Sequence, residues 1–374
     1  MKIALDAKRM LNNGTGLGNH ARILANALMR DYPENEYQLY TPKIDDRYLN
    51  ELHGAFSIEM PGSKFAQALH PWWRSYSITE DLLKNMVDVY HGLSNELPLN
   101  IHRSRIPTVV TIHDLIFLKH REQYPWLDRQ VYMVKTKYAA RYAHRIIAVS
   151  EETKRDLIEY YHVPEKKIKV IYQSIDPRFY AAAAAAVLRA FRKKFQLSDQ
   201  YILNVSSFFP RKNQLKLIEA FDLIKDKIPH RLVLAGGAGN MMPEISEMIK
   251  ERQLADRIIT LTNVSNDEMP LLYQASDLFV YPALMEGFGM PVLEALVSGV
   301  PVITTGSGAI AEAAGLAAVK IDPLIPESIA RAVIMVLLNE NLKGQLVLAG
   351  REHAATMTDK LFAQRVMQVY ESVV

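Results

Sequence analysis

The second half of the chain alternates between two hydrophobic periods, and few folds accommodate both. Apolar runs of strand length are YILNV (201–205), RLVLA (231–235), IITL (258–261), LFVY (278–281), PVITT (301–305) and AAVKI (317–321). Helix-period stretches lie between them. QLKLIEAFDLIKDKI (214–228) is apolar at Leu215, Leu217, Ile218, Phe221 and Ile224, and PEISEMIKERQL, MPLLYQAS and MPVLEALVS follow in later gaps. Continuous apolar strands joined through helices by short loops predict βαβ units, hence a parallel sheet covered on both faces. The first half repeats the theme more loosely. KIALDA (2–7), EYQLYT (36–41), VDVYHG (87–92), TVVTIHD (108–114), RIIAVS (145–150) and IKVIYQ (168–173) read as strands. HARILANALM (20–29) and WLDRQVYMVKTKYAARYAH (126–144) read as helices. The expected class is α/β, with two Rossmann-like doubly wound domains joined around 172–200. A last helical pattern, apolar at Leu361, Phe362, Val366, Val369 and Tyr370, needs a partner surface.

Length and composition suit this reading. By the prior of ~100–200 residues per domain, 374 residues make two domains. The absence of Cys excludes disulfides and thiolate metal sites and suits a reducing compartment. Lys+Arg 44 against Asp+Glu 41 is too balanced to mark a nucleic-acid binder. The start, MKIALDAKRM, has too short an apolar stretch for a signal peptide and reads as a first buried strand. The charge-poor stretch Gly287 to Ala311 is punctuated by Gly and Pro, against a membrane span. The expectation is a cytoplasmic protein, soluble or peripheral on the inner face of the cell membrane. Six consecutive alanines, Ala181 to Ala186, carry no functional signal.

Open parallel sheets bind ligands at the carboxyl ends of their strands, so candidate chemistry should lie just after strands. GTGLGNHA (14–21) precedes a helix and presents amides to an anion. It starts too far from the strand, and lacks the acid ~20 residues on, for a dinucleotide fingerprint. A plain turn and helix start is the alternative. His113–Asp114 closes TVVTIHD; the choice is between a substrate contact and a helix cap by Asp114 with His113 in solvent. SSFFPRKN (206–213) puts Arg211 and Lys212 beside a helix N-terminus, where cations are poorly placed unless an anion also binds. A solvated basic loop is the alternative there.

The sharpest constellation is EGFGMPVLEAL (286–296). Gly287 and Gly289 permit close backbone approach, Pro291 starts a helix, and Glu286 and Glu294 flank seven residues. Glu286 is suited to sugar hydroxyls and Glu294 to both hydroxyls of a ribose. Glu294 also stands in an otherwise apolar helix, which packing alone does not favour.

At these residues the sequence resembles family 4 of the retaining glycosyltransferases, of GT-B fold and of the glycosyl transferases group 1. Its PRKN (210–213) is similar to mannosyltransferase-like members. Glu286 to Glu294, TGLGNH and the His113 segment carry the resemblance, as do RIIAVSEETKRDLIEYYHVPEKKIKVI (145–171) and IDPRFY (175–180). It implies two domains facing a central cleft: 1–172, taking the acceptor, with 358–374 crossing back, and 173–357, binding the nucleotide-sugar. It implies sugar transfer from a UDP- or GDP-linked donor with retained configuration, and neither metal nor cofactor. By that resemblance Lys212 binds the donor diphosphate with help from Arg211. Glu294 takes the ribose and Glu286 the sugar hydroxyls. Gly287, Phe288 and Gly289 offer backbone contacts, His113 meets the donor sugar, and Gly16 meets phosphate or acceptor. Asn263 and Val264 hold the base. Ser206–Ser207 stand where many members carry Gly-Arg, a departure that shifts phosphate neutralisation onto Arg211.

No Asp-x-Asp, no phosphate loop and no H-E-x-x-H occurs. The expected acceptor is a glycan or a lipid-linked glycan. KFAQALHPWWRSYSITEDLLK (64–84), aromatic and basic, is the candidate to cover it or to lie on a membrane surface, against ordinary packing with a basic rim. Two other functions fit the motifs less well: a nucleotide-sugar epimerase of the same fold, and a two-lobed sugar-binding protein without catalysis.

Overall fold

The computed structural model describes residues 1–62, 70–237 and 239–374. The chain divides into two compact units: residues 1–174 with 357–374 form unit 1, and residues 175–356 form unit 2. Unit 1 holds β1 (Lys2–Asp6), β2 (Glu36–Tyr40), β3 (Ser57–Glu59), β4 (Val89–Gly92), β5 (Thr108–Ile112), β6 (Arg145–Ala148) and β7 (Ile168–Val170). They pair in parallel in the order β3-β2-β1-β4-β5-β6-β7. Unit 2 holds β8 (Tyr201–Val205), β9 (Arg231–Ala235), β10 (Ile258–Leu261), β11 (Leu278–Tyr281), β12 (Val302–Thr305) and β13 (Val319–Ile321). Their order is β10-β9-β8-β11-β12-β13, again parallel. In both sheets the direction of winding reverses, at β1/β4 and at β8/β11. Such a reversal opens a crevice at the carboxyl ends of the two strands.

Strand alternation decides which residues face which layer. In unit 1, Ile3, Leu5 and Leu39 join one core, while Ala4, Tyr40, Tyr90 and Val110 join the other. The first core is roofed by two helices, Gly16–Asp31 and Asp359–Glu371, which pack together. Leu24 and Leu28 of one helix share this core with Phe362, Val366 and Tyr370 of the other. Each such side chain fully buried stabilises by about 1.5–3 kcal/mol. An Arg30–Asp359 pair at 2.6 Å closes the outer edge.

The last helix also reaches into the sheet. The Tyr370 hydroxyl lies 2.7 Å from His91 Nδ1, and His91 Nε2 lies 2.8 Å from Thr111 Oγ1. Burial holds His91 down to about 3 and His113 down to about 4, so both are neutral at pH 7. Unfolding releases both to the ordinary value near 6.5. Between pH 4 and 6.5 the unfolded chain therefore binds more protons, and stability falls as pH drops below 6.5. The expected loss is about 2 kcal/mol per histidine at pH 5. Urea melts of the wild type and of His91→Gln at pH 7.5 and pH 5 check it, and an equal pH dependence of the two would refute it.

Residues 64–69 of the aromatic, basic segment lie outside the described residues. In the described part, Trp73 and Arg74 point inward. Trp73 Nε1 donates to Asp81 at 2.7 Å, and Arg74 forms ion pairs with Asp6 and Glu96. Glu96 in turn meets Lys135 at 2.7 Å. These charges line a small cavity at the β1/β4 crevice with Tyr90 and Leu97. Arg74 is thus an internal cation rather than part of a basic rim.

Candidate active site

The β8/β11 crevice of unit 2 gathers the sharpest sequence candidates. After β8 the chain is tied down at once. Asn204 Nδ2 donates to Val280 O at 2.8 Å, joining β8 to β11. Ser206 Oγ donates to Asn204 Oδ1 at 3.1 Å and accepts from Gln214 Nε2 at 2.8 Å. The same amide donates to Ser207 O at 3.0 Å. Behind this turn, a Cβ on Gly236 would stand 1.8 Å from Ser206 O, so only glycine lets the β9 loop pass. Pro210–Lys212 makes a single 3-10 turn, and Asn213 follows with φ 61°, a left-handed conformation that Asn tolerates. Asn213 Nδ2 donates to Pro282 O at 3.1 Å and Pro323 O at 2.7 Å. The PRKN turn is therefore pinned to the loops after β11 and β13.

This anchoring aims two cations at one carboxylate. Lys212, only 7% exposed, is ion-paired with Glu286, and its Nζ donates to Tyr281 Oη at 2.8 Å. Arg211 Nη1 lies 2.6 Å from the same Glu286 oxygen. Tyr281 Oη in turn donates a hydrogen bond to Glu286 Oε1 at 3.0 Å. Burial opposes ionisation of Glu286, but Lys212 and Arg211 outweigh it and hold the carboxyl below its ordinary value. Burial beside Glu286 pushes the Tyr281 phenol well up, so it remains a neutral donor. From β12, Thr304 and Thr305 hydroxyls donate to Tyr281 O and Ala283 O at 2.9 and 2.6 Å, fixing the loop that carries Glu286.

Phe288 is buried, and Gly289 has φ 121°, a backbone conformation that side chains rarely adopt. It turns the chain into the Met290–Val297 helix. Glu294, one turn in, accepts from Tyr273 Oη at 2.8 Å. Burial pushes its carboxyl up to about 7, although the Tyr273 bond opposes this; Asp176 adds to the rise and Arg178 opposes it. Asn263 is exposed and Val264 half-buried in the turn after β10, the edge strand of this sheet.

The remaining candidates, Gly16 and His113, belong to unit 1. Gly16 opens the Gly16–Asp31 helix, and a Cβ there would meet nothing within 4 Å. His113 is buried, which corrects the reading that leaves it in solvent. Its Nε2 lies 2.9 Å from Leu93 O and its Nδ1 3.1 Å from Gln173 Nε2. The neutral ring therefore carries its proton on Nε2, donating to Leu93 and accepting from Gln173. Asp114 does cap the next turn, accepting from Ile116 N at 3.1 Å. Tyr281 and Tyr273 were not anticipated. Each lies in an apolar run, where a tyrosine reads as core.

Two family models match the chain. One, described as Glycosyltransferase Family 4, matches residues 14–179. The other, described as Glycosyl transferases group 1, matches residues 189–353. The chain belongs to the family 4 glycosyltransferases. O-antigen chain mannosyltransferase B of Escherichia coli is 28% identical over 257 residues, covering 68% of this chain and 66% of that protein. The serotype-specific mannosyltransferase WbdA of Escherichia coli is 28% identical over 289 residues, covering 74% of this chain and 34% of that protein. The chain thus spans just under two thirds of the first relative and about a third of the second. Among solved structures, Anabaena HepE in complex with UDP-glucose aligns over 100% of both chains with TM-score 0.79 at 18% identity. That likeness is one of fold: two Rossmann-like parallel-sheet units of GT-B type.

Proposed function

We propose that the protein transfers a sugar from a nucleoside diphosphate sugar to a glycan or lipid-linked acceptor, with retention of configuration and without a metal. One observation carries this reading: Lys212, Arg211, Tyr281 and Glu286 converge at the winding reversal of unit 2, with Glu294 one helical turn away. A departing diphosphate gathers negative charge as the glycosidic bond breaks. Lys212 and Arg211 meet that charge, and preorganised cations of this kind supply a large share of a rate. Glu286 then takes donor-sugar hydroxyls, Glu294 the ribose, and Asn263 and Val264 the base. The amides of Gly287, Phe288 and Gly289 and the turn at Ser206–Ser207 complete the donor site. The acceptor attacks the face the leaving group departs from, and the leaving phosphate takes its proton.

The relatives' names make mannose the first sugar to test, and both GDP- and UDP-linked donors are candidates. A thermal-shift screen of UDP-, GDP- and ADP-sugars tests the donor class. A donor at ~100 times its dissociation constant adds about 2.7 kcal/mol of stability. No shift with any of them would remove the proposal.

Metal independence is tested separately. The chain has no Asp-x-Asp, and its phosphate-facing groups are already cationic. Transfer should continue undiminished in excess chelator. Complete loss, restored by Mg or Mn, would overturn this part.

A further inference from the structure

The winding reversal of unit 1 holds more positive charge than the fold itself uses. β1 ends at Asp6, and Lys8 to Asn12 make a loop fastened from several sides. Asp6 Oδ1 accepts from Lys8 N at 3.2 Å, and Leu11 N donates to Ala7 O at 2.9 Å. Asn12 Nδ2 donates to Lys8 O at 3.1 Å and to Lys43 O at 2.7 Å, and the buried Arg22 donates to Met10 O at 2.7 Å. Met10 and Leu11 are fully buried. The loop is therefore preorganised, with Lys8 and Arg9 half-buried at the carboxyl end of β1, where a doubly wound sheet opens its crevice.

These two charges are not answered from within. Arg74 and Lys135 meet Asp6 and Glu96, so two cations already stand against two acids in the crevice. Lys8 and Arg9 come on top of that balance. Among the described residues neither head group has a hydrogen-bond or ion-pair partner. Burial and the nearby Arg74 push the Lys8 ammonium below its ordinary value, although Glu96 and Asp6 oppose this. Arg9 adds to the repulsion on Lys8 and also acts on His113, just after β5. A freely solvated lysine carries no such penalty. A cation held where the fold disfavours it points to an anion supplied from outside.

We propose that Lys8 and Arg9 bind a doubly charged phosphoryl group at the winding reversal of unit 1. Two unanswered cations match a phosphate ester, which carries about two negative charges at neutral pH. The Arg9 fork suits its oxygens, and the Lys8 ammonium acts as a point charge beside it. A carboxylate would leave one of the two cations unanswered. Under the proposed transfer reaction this phosphoryl group belongs to the acceptor. That role rests on the reaction, and the binding does not.

The experiment is calorimetric titration of the full chain with mannose 1-phosphate, inorganic phosphate and mannose. Both phosphates are expected to bind and mannose is not, and the ratio of the two phosphate affinities tells a phosphorylated saccharide from free phosphate. Lys8→Gln/Arg9→Gln should weaken this binding about tenfold or more. Its thermal shift with nucleotide-sugars should match that of the wild type, so failure of the phosphate site and failure of the donor reading are told apart. Without ligand the variant should melt no lower than the wild type, because the fold gains nothing from an unanswered cation. Circular dichroism checks folding, and Lys8→Gln alone is read the same way if the double variant misfolds. Wild-type phosphate affinity in the folded variant overturns the proposal. So does a ligand-free variant that melts below the wild type, which would make the two cations structural partners of Asp6 and Glu96.

Discussion

Lys212→Ala lowers kcat by about 10²–10³, the usual effect of removing one group that stabilises developing negative charge. Donor affinity falls by a smaller factor, because the diphosphate carries more charge on this side as it leaves than while it is bound. The same substitution strips Glu286 of its nearest cation. Arg211 and Tyr281 remain on that carboxylate, so the chain folds, with roughly 1–3 kcal/mol less stability. The double variant Lys212→Ala/Glu286→Gln separates the two effects. It recovers part of the stability, since the buried carboxylate that lost its nearer cation is gone, and it does not recover turnover. Single-turnover kinetics and urea melts on both variants give the comparison. Equal losses of binding and turnover in Lys212→Ala would make Lys212 a docking residue and remove the leaving-group role. Recovery of turnover in the double variant would make the pair purely structural.

Glu294→Gln has two opposite consequences. The folded carboxyl titrates near 7, above its ordinary value of 4.5, chiefly because it is buried. Between those values the folded chain holds a proton that the unfolded chain has lost, so this group makes stability fall as pH rises through that window. Gln removes the penalty and keeps an acceptor for Tyr273. The variant should gain at most about 3 kcal/mol at pH 8, a gain that fades toward pH 4.5. Its nucleotide affinity should meanwhile fall at least about tenfold, for want of charge-assisted bonds to the ribose hydroxyls. Wild-type affinity should strengthen from pH 6 to pH 8 as Glu294 ionises, while the variant's stays flat. Calorimetric titration with the nucleotide at three pH values reads this directly. Unchanged affinity in the variant at pH 8 would remove the ribose assignment.

Most strands were legible because period and punctuation agreed. Twelve apolar runs are strands in the structure; β3 (Ser57–Glu59), three residues long with one apolar side chain and at a sheet edge, gives too little pattern to find. The helix read over 214–228 stops at Asp222, and turns carry the chain on toward Pro229, which disfavours helix just before it. The residue types of the site were legible, and their pairings were not. Nothing local says that Lys212 meets Glu286 through a tyrosine at the end of β11, or that Arg74 serves Asp6 across 68 residues. A tyrosine's ring follows the hydrophobic pattern and its hydroxyl does not. The fold decides where that hydroxyl lands.

The excursion from Ser174 to Met357 has a consequence for how the chain is made. On the ribosome, unit 2 emerges whole, as one uninterrupted stretch able to fold as it appears. Unit 1 emerges first yet finishes last. The seven strands described in it precede unit 2, while the thirteen-residue helix that roofs its core is synthesised only after unit 2. Until then the apolar side of the Gly16–Asp31 helix lacks its cover, and His91 waits for a hydroxyl 279 residues downstream. A nascent unit 1 is therefore an exposed hydrophobic surface while unit 2 is being made, and a stop codon within the Asp359–Glu371 helix would strand it in that state.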